Sequence, residues 1–233
     1  MKRFIVEAII IALGLTLLGI NIKSGIEKFS NKDRKVTVKG LAEREVMANK
    51  ITWPIVCKEL GDYLPNLYNN INSTNTAIID FLKKNGISEN EISIKPPKVI
   101  DINSNIYSNN TRGYRYNITS VITVTSSQVT KVREIISKQG ELLKQGIAIV
   151  EGDYDNRISY EYTDFSAIKP EMMKEAISNA QKTAKQFAEN SESKLGKIQT
   201  ASQGQFSIQD RDTNTPYIKD IRVVTTVTYS LED

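Results

Sequence analysis

Not one of the 233 residues is a histidine. That absence removes Ser-His-Asp and Cys-His catalysis, imidazole-ligated zinc and the usual proton shuttle near neutral pH. Carboxylate, lysine or tyrosine chemistry is what remains open. Cysteine is almost as scarce. The single Cys57 excludes an intramolecular disulfide and leaves a free thiol or a cross-link between chains, beside the plainer role of a small strand residue. No glycine-rich phosphate loop is present.

What is present is ordinary for a folded chain. Hydrophobic residues make up 39% and charged residues 25%, which speaks against wholesale disorder. The length allows one large domain or two small ones. The net charge of +4 is unevenly placed: residues 1 to 35 carry seven basic and three acidic groups, and the remainder carries 24 of each. A neutral body gives little support to nucleic-acid binding, which needs a basic excess on one face. The excess sits instead where it would flank a membrane.

The segment in question is "FIVEAIIIALGLTLLGINI", Phe4 to Ile22, apolar except for Glu7, Thr16 and Asn21. As a helix it would rise about 28 Å, enough to cross the hydrocarbon layer. A cleavable secretory signal would open the same way, with Lys2 and Arg3 as its basic start. The following "GINIKSGIEKF" lacks a convincing small-x-small cleavage site, so the segment reads as an uncleaved signal-anchor. Charge leaves its orientation ambiguous, because Lys2 and Arg3 oppose the five basic residues after the span. Glu7 lies near the interface and implies no proton relay. The sequence thus divides into a membrane anchor (1–23), a basic polar linker (24–35) and a body (36–233).

In the body the hydrophobic period changes repeatedly. "VTVKG" and Val46 to Val56 alternate like strands, with Met47, Ile51, Trp53 and Ile55 on one face, and Pro54 argues for an edge or a bulge. From Leu64 to Leu82 apolar residues recur at three- and four-residue steps, and Lys83, Lys84 and Gly86 supply a helix end. "EISIKPPKVIDI" is a strand broken by Pro96 and Pro97. "YRYNITSVITVT" is a half-buried antiparallel strand, and "NSNIYSNNTRG" between the two is an exposed hairpin loop. A helix from Ser127 to Gly140, with a short "ELLKQG" turn, leads to the strand "RISYEYT". Then comes the most periodic helix, with Met173, Ala176, Ile177, Ala180, Ala184, Phe187 and Ala188 on one stripe. Its alanines imply close approach to a sheet. Strands over Lys197–Ser202 and Lys219–Leu231 close the chain.

Residues 46–125 and 157–231 share the order strand, helix, strand, loop, strand, without sequence identity. This predicts an α+β fold: an antiparallel or mixed sheet with long helices packed on one face, built from pseudo-duplicated strand-helix-strand-strand units and preceded by one N-terminal transmembrane helix.

Several groups could carry chemistry. Glu43 and Glu45 share a strand face with Arg44 opposite, so they could act as acid and base, or form only the solvated mouth of a strand. Asp210, Asp212 and Asn214 match the first three ligand positions of a calcium loop. Thr215 then replaces the required glycine and Ile221 the closing carboxylate, so a polar hairpin loop fits better. Glu151, Asp153 and Asp155 are equally incomplete. Glycosylation sequons at Asn72, Asn109 and Asn117 arise readily in an asparagine-rich chain. Trp53 and the tyrosines fit core packing or a ligand pocket, and Tyr107 and Tyr217, in expected loops, join Trp53 as possible interface residues. No catalytic residue, metal or cofactor is expected from these patterns.

The stretches "VTVKGLAEREVMANKITWPI", "LLKQGIAI", "YEYTDFSAIKPEMMKEAISNAQKTAKQFAENSESKLGKI" and "VVTTVTYSL" together resemble the SIMPL-domain family, over most of residues 36–231. The family comprises exported or membrane-anchored bacterial proteins, periplasmic immunogens among them, with distant eukaryotic relatives. The resemblance implies an α+β domain outside the cytoplasm, here on a single-pass inner-membrane anchor. It also implies ring-like homo-oligomers and a loosely defined role in envelope or oxidative-stress protection. The partners it implies are the membrane and further copies of the chain. No catalytic residue carries over.

Overall fold

In the computed structural model the described residues are 11–23, 25, 34–104, 113–150, 152 and 154–232. Residues 11–23 form a helix, α1, whose thirteen residues rise about 20 Å. No helix among the described residues is long and apolar enough to cross a membrane. The expected transmembrane helix is therefore not seen as such: α1 falls short of the roughly 20 residues a span requires, and residues 4–10 of the apolar run lie outside the described residues.

The rest of the described chain forms two compact units. One holds residues up to Arg44, Ser166–Ile208 and the chain from Asp220, and the other holds Glu45–Phe165 with Gln209–Lys219. The strands are β1 (Lys35–Met47), β2 (Lys50–Gly61), β3 (Ile92–Asp101), β4 (Tyr116–Ser126), β5 (Ile149–Val150), β6 (Ser159–Glu161), β7 (Lys194–Gln203), β8 (Ser207–Asp210) and β9 (Ile218–Glu232). The helices are α2 (Leu64–Lys84), α3 (Val129–Ser137), α4 (Gly140–Lys144) and α5 (Phe165–Asn190).

In the unit built on β2, the sheet order is β3-β4-β2-β5, with β6 also on β2, and every pairing is antiparallel. Register sets Trp53 opposite Val124 and Ile55 opposite Ile122. The period of two then buries Ile51, Trp53, Ile55 and Cys57 on one face with Ile118, Ile122 and Val124. Onto that face α2 lays Leu67, Ile71, Ile78, Phe81 and Leu82, and α3 adds Val129, Val132 and Ile135. Lys83 and Lys84 in the last turn of α2 meet its negative C-terminal end. The chain leaves the helix through Gly86 at φ +85°, a conformation that favours glycine. In β3 the register shifts between Lys95 and Lys98, so Pro96 and Pro97 form a bulge at a sheet edge, where their missing N–H groups cost least.

The other unit has the order β1-β9-β7, with β8 also on β9. Arg34 O accepts from Leu231 N (2.9 Å), the Thr37 and Thr228 hydroxyls meet at 3.0 Å and Glu43 pairs with Arg222 at 3.4 Å. Positions thus fall along β9 as they rise along β1, the mark of antiparallel strands. One helix, α5, covers this sheet with Met172, Ala176, Ala180, Ala184 and Ala188, a strict four-residue stripe. The alanines bring helix and sheet so close that a Cβ at Gly40 would lie 1.9 Å from Ala176 O. Asn179 Nδ2 also donates to Leu41 O (2.9 Å), occupying a backbone acceptor of edge strand β1.

Three sequence expectations change. Met47 does not share the core face with Ile51, Trp53 and Ile55: it ends β1 and is exposed, while Ile51 begins the buried set on β2, because the interruption at Asn49, with Ala48, separates two strands. Along α5 the inward methionine is Met172, and Ile177 and Phe187 face outward, since four-residue spacing fits a narrower stripe than the one expected. "RISYEYT" contributes only the three residues of β6, which pair with β2, so the strand that shares a unit with α5, β7 and β9 is β1.

Candidate functional site

Alternation along β1 places Glu43 and Glu45 on one exposed face and Arg44 on the other. Each group has its own partner. Arg44 Nη1 donates to Glu171 Oε2 on α5 (2.8 Å), with Glu175 at 3.7 Å, and the Glu171 bond raises the Arg44 pKa. Glu43 pairs with Arg222 on β9 at 3.4 Å, and Glu45 with Arg211 at 3.4 Å. These carboxylates form separate exposed ion pairs, the solvated-mouth arrangement, and line none of the cavities described below.

The loop between β8 and β9 uses its acids internally. Asp212 Oδ1 accepts from the backbone N–H groups of Asn214 (2.8 Å) and Thr215 (2.7 Å), and Oδ2 accepts from the Thr215 hydroxyl and Arg211 Nε. The Thr215 hydroxyl first, then these N–H groups, hold the Asp212 carboxyl down at about 2. Asp210 pairs with the buried Lys219 ammonium. Among the described residues no cluster of three or more His, Cys, Asp or Glu could hold a metal ion. Asp155 is exposed, and Glu151 and Asp153 lie outside the described residues. Cys57 is buried in the β2 core, and burial, then Glu59, pushes its thiol up to about 11, far from a reactive thiolate. Asn117 stands in strand β4 with its Oδ1 buried.

The three aromatic candidates separate. Trp53 is 2% exposed, in the core of its unit. Tyr217 packs against that core, with Tyr160 edge-on at 6.1 Å and Arg133 over its ring at 3.4 Å from the centroid. Its carbonyl accepts from Ala48 N (2.8 Å), so the tyrosine staples the β8–β9 loop to its own unit. Tyr107 lies outside the described residues.

A surface not foreseen from the sequence stands at one end of the same unit, where β2 finishes and α2 and β4 begin. Leu60, Tyr63, Leu64, Tyr68, Ile100 and Tyr114 are there between 37% and 62% exposed. The strand register sets Leu60 and Ile100 on either side of Asn117, on the sheet face away from α2, and Arg115 N donates to Asp62 Oδ1 (2.8 Å), joining the residues next to Tyr114 and Tyr63. The signal lay in "ELGDYLPNLY", whose apolar residues exceed what one helix face can bury.

Among the described residues, several cavities open to solvent. One of about 440 Å³ is lined by Trp53, Pro54, Gln139, Ile149 and Arg157. Another, about 420 Å³, lies between α2 and the proline bulge of β3. One of about 540 Å³ is lined by polar residues, among them Asn49, Lys50, Glu91, Ser126 and Thr163. The Ser126 hydroxyl holds the Glu91 carboxyl below its ordinary range. One of about 680 Å³ lies between the last turns of α5 and the start of β7.

Compared with known proteins, the chain matches the family model described as SIMPL, a protein of unknown function (DUF541), over residues 36–229. No curated protein matches it. Since the match covers residues 36–229 of a 233-residue chain, the chain belongs to the SIMPL family.

Proposed function

We propose that the protein is a membrane-tethered, extracytoplasmic envelope component that works by self-association and carries out no bond-making chemistry. In this reading residues 1–23 anchor the chain, 24–35 form a basic linker and 36–233 are the working body. The apolar run Phe4–Ile22 and its basic flank support the anchor. The observation that carries self-association is the exposed end formed by Leu60, Tyr63, Leu64, Tyr68, Ile100 and Tyr114. Exposed large apolar residues gathered at one end of a unit, tyrosines among them, favour protein contact. A scaffold or protective role, including protection against oxidative stress, follows the family resemblance. The common strand order of the two units supports an architectural duplication, now with β1 as the first strand of one copy.

Light scattering on the full-length chain in detergent tests this. Multiples of the protomer mass are expected, falling toward the protomer when Tyr63→Ser and Tyr114→Ser are combined. A protein that stays monomeric over a wide concentration range would refute it. A second reading, an envelope binding module, is favoured by the cavity whose lining includes Trp53. Quenching of Trp53 fluorescence by an added envelope peptide or lipid would support that reading, and unchanged emission would count against it.

A further inference from the structure

The cavity between α5 and β7 has an unusual wall. Lys182 and Lys185 come from one side of α5, Ser193 and Lys194 from the turn into β7, and Ala188 and Leu195 supply an apolar base. Glu189 is the one acid in the lining, 4.0 Å from Lys185. Lys182 has no ion-pair partner among the described residues. Lys194 stands opposite Glu232 in the strand register and Glu192 lies in the turn, so these two rim acids offset the lining's excess of two positive charges, and Arg34 beside Ser193 adds the further positive charge.

The cavity also adjoins the point where the chain comes in from its N-terminal segment. Arg34, directly ahead of β1, donates through Nη2 to the Ser193 hydroxyl (3.1 Å), and Ser193 is itself part of the wall. From residue 25, the last described helical position of the N-terminal segment, nine positions lead to Arg34. Fully extended, that length spans at most about 32 Å. A body on so short a tether is confined near the bilayer surface, which raises the effective concentration of headgroups at this cavity.

We infer that the cavity between α5 and β7 is a binding site for the phosphate of an anionic lipid headgroup in the membrane to which the chain is anchored. The inference rests on the anchor reading above and goes further by naming the ligand. Lys182, Lys185 and Lys194 supply ammonium groups for the phosphate, and Ala188 and Leu195 meet the glycerol and upper acyl carbons. Basic side chains near an anionic surface each contribute attraction that falls off within a Debye length, so the site acts only close to the bilayer and weakens with salt.

The test uses the full-length chain reconstituted in nanodiscs of phosphatidylcholine alone or mixed with phosphatidylglycerol, read by amide hydrogen exchange. With phosphatidylglycerol, exchange over the last turns of α5 and the start of β7 is expected to slow by about tenfold or more. The double variant Lys182→Gln, Lys185→Gln, altered only at exposed positions, should lose that protection while remaining in the discs. Equal exchange in the two lipids would overturn the inference and leave the anchor standing. Equal protection by inorganic phosphate added to phosphatidylcholine discs would assign the site to free phosphate and overturn the lipid. Failure of the chain to stay in discs of either kind would bring down the anchor, and this inference with it.

Discussion

The two units arrange their main strands alike, first beside last beside middle, yet they fill the space beneath the helix in opposite ways. Around α5 the helix side is mostly alanine, with Gly40 against Ala176 and Ala180, and the sheet side adds Val36, Val38, Val227 and Tyr229. Around α2 it is made by Ile71, Ile78, Phe81 and Leu82 against Trp53 and Ile55. The separation of packed elements follows the size of the side chains between them. The alanine unit achieves burial by close approach of backbones, and the aliphatic unit by side-chain volume, with α3 and α4 added to cover a broader surface. The two should therefore fail to opposite kinds of substitution.

The largest effect is expected from deleting volume in the aliphatic unit. Ile71→Ala, at a fully buried position, should cost about 2–5 kcal/mol in chemical denaturation of the full-length chain. Adding volume in the alanine unit should come next. Ala180→Leu should cost about 1–3 kcal/mol or more, and a tolerated leucine would mean that α5 sits farther from β1 than described. Arg133→Ala removes the cation above Tyr217 and should cost about 0.5–2 kcal/mol, with faster exchange at Ala48 N–H, whose acceptor Tyr217 provides.

Two smaller effects depend on pH. Folding raises the Cys57 thiol from 9.0 to about 11, so the folded state holds the proton more tightly. Its contribution is complete below pH 9 and is lost as pH rises toward 11. The denaturation midpoint should fall over that window, less so in Cys57→Ala, and thiol reagents should label the folded chain slowly at pH 8. Asp212 has the opposite sign. Its carboxyl is lowered from 3.8 to about 2, so the stabilisation is present above pH 4 and disappears as pH falls through 2. Proteolysis of the Arg211–Lys219 loop should speed up over that acid range, and Asp212→Asn should remove most of the dependence.

Local features were the legible ones. The end of α2 could be read from Lys83, Lys84 and Gly86, the edge character of β3 from Pro96 and Pro97, and the close packing of α5 from its alanines, because each is set by neighbours within a few positions. What escaped depends on contacts far apart in the chain. Thr37 meets Thr228 across 191 positions, and nothing local in "VTVKG" shows that it completes the sheet under α5 rather than the one under α2. The same holds for candidate sites. The separate pairing of Glu43 and Glu45 with Arg222 and Arg211, and the gathering of Lys182, Lys185 and Lys194 beside Ser193, require two or three distant segments to meet. Tyr217 sits in a loop, as expected, but Arg133 and Tyr160 draw it inward.

Everything proposed for this chain depends on where the body resides relative to a bilayer. Compartment reporters fused to each end of the full-length chain, read together with alkaline carbonate extraction of the membranes, measure this directly. The account predicts a carbonate-resistant protein whose N-terminal fusion reports the cytoplasm and whose C-terminal fusion reports the far side. A carbonate-soluble chain with both fusions reporting the cytoplasm would contradict it.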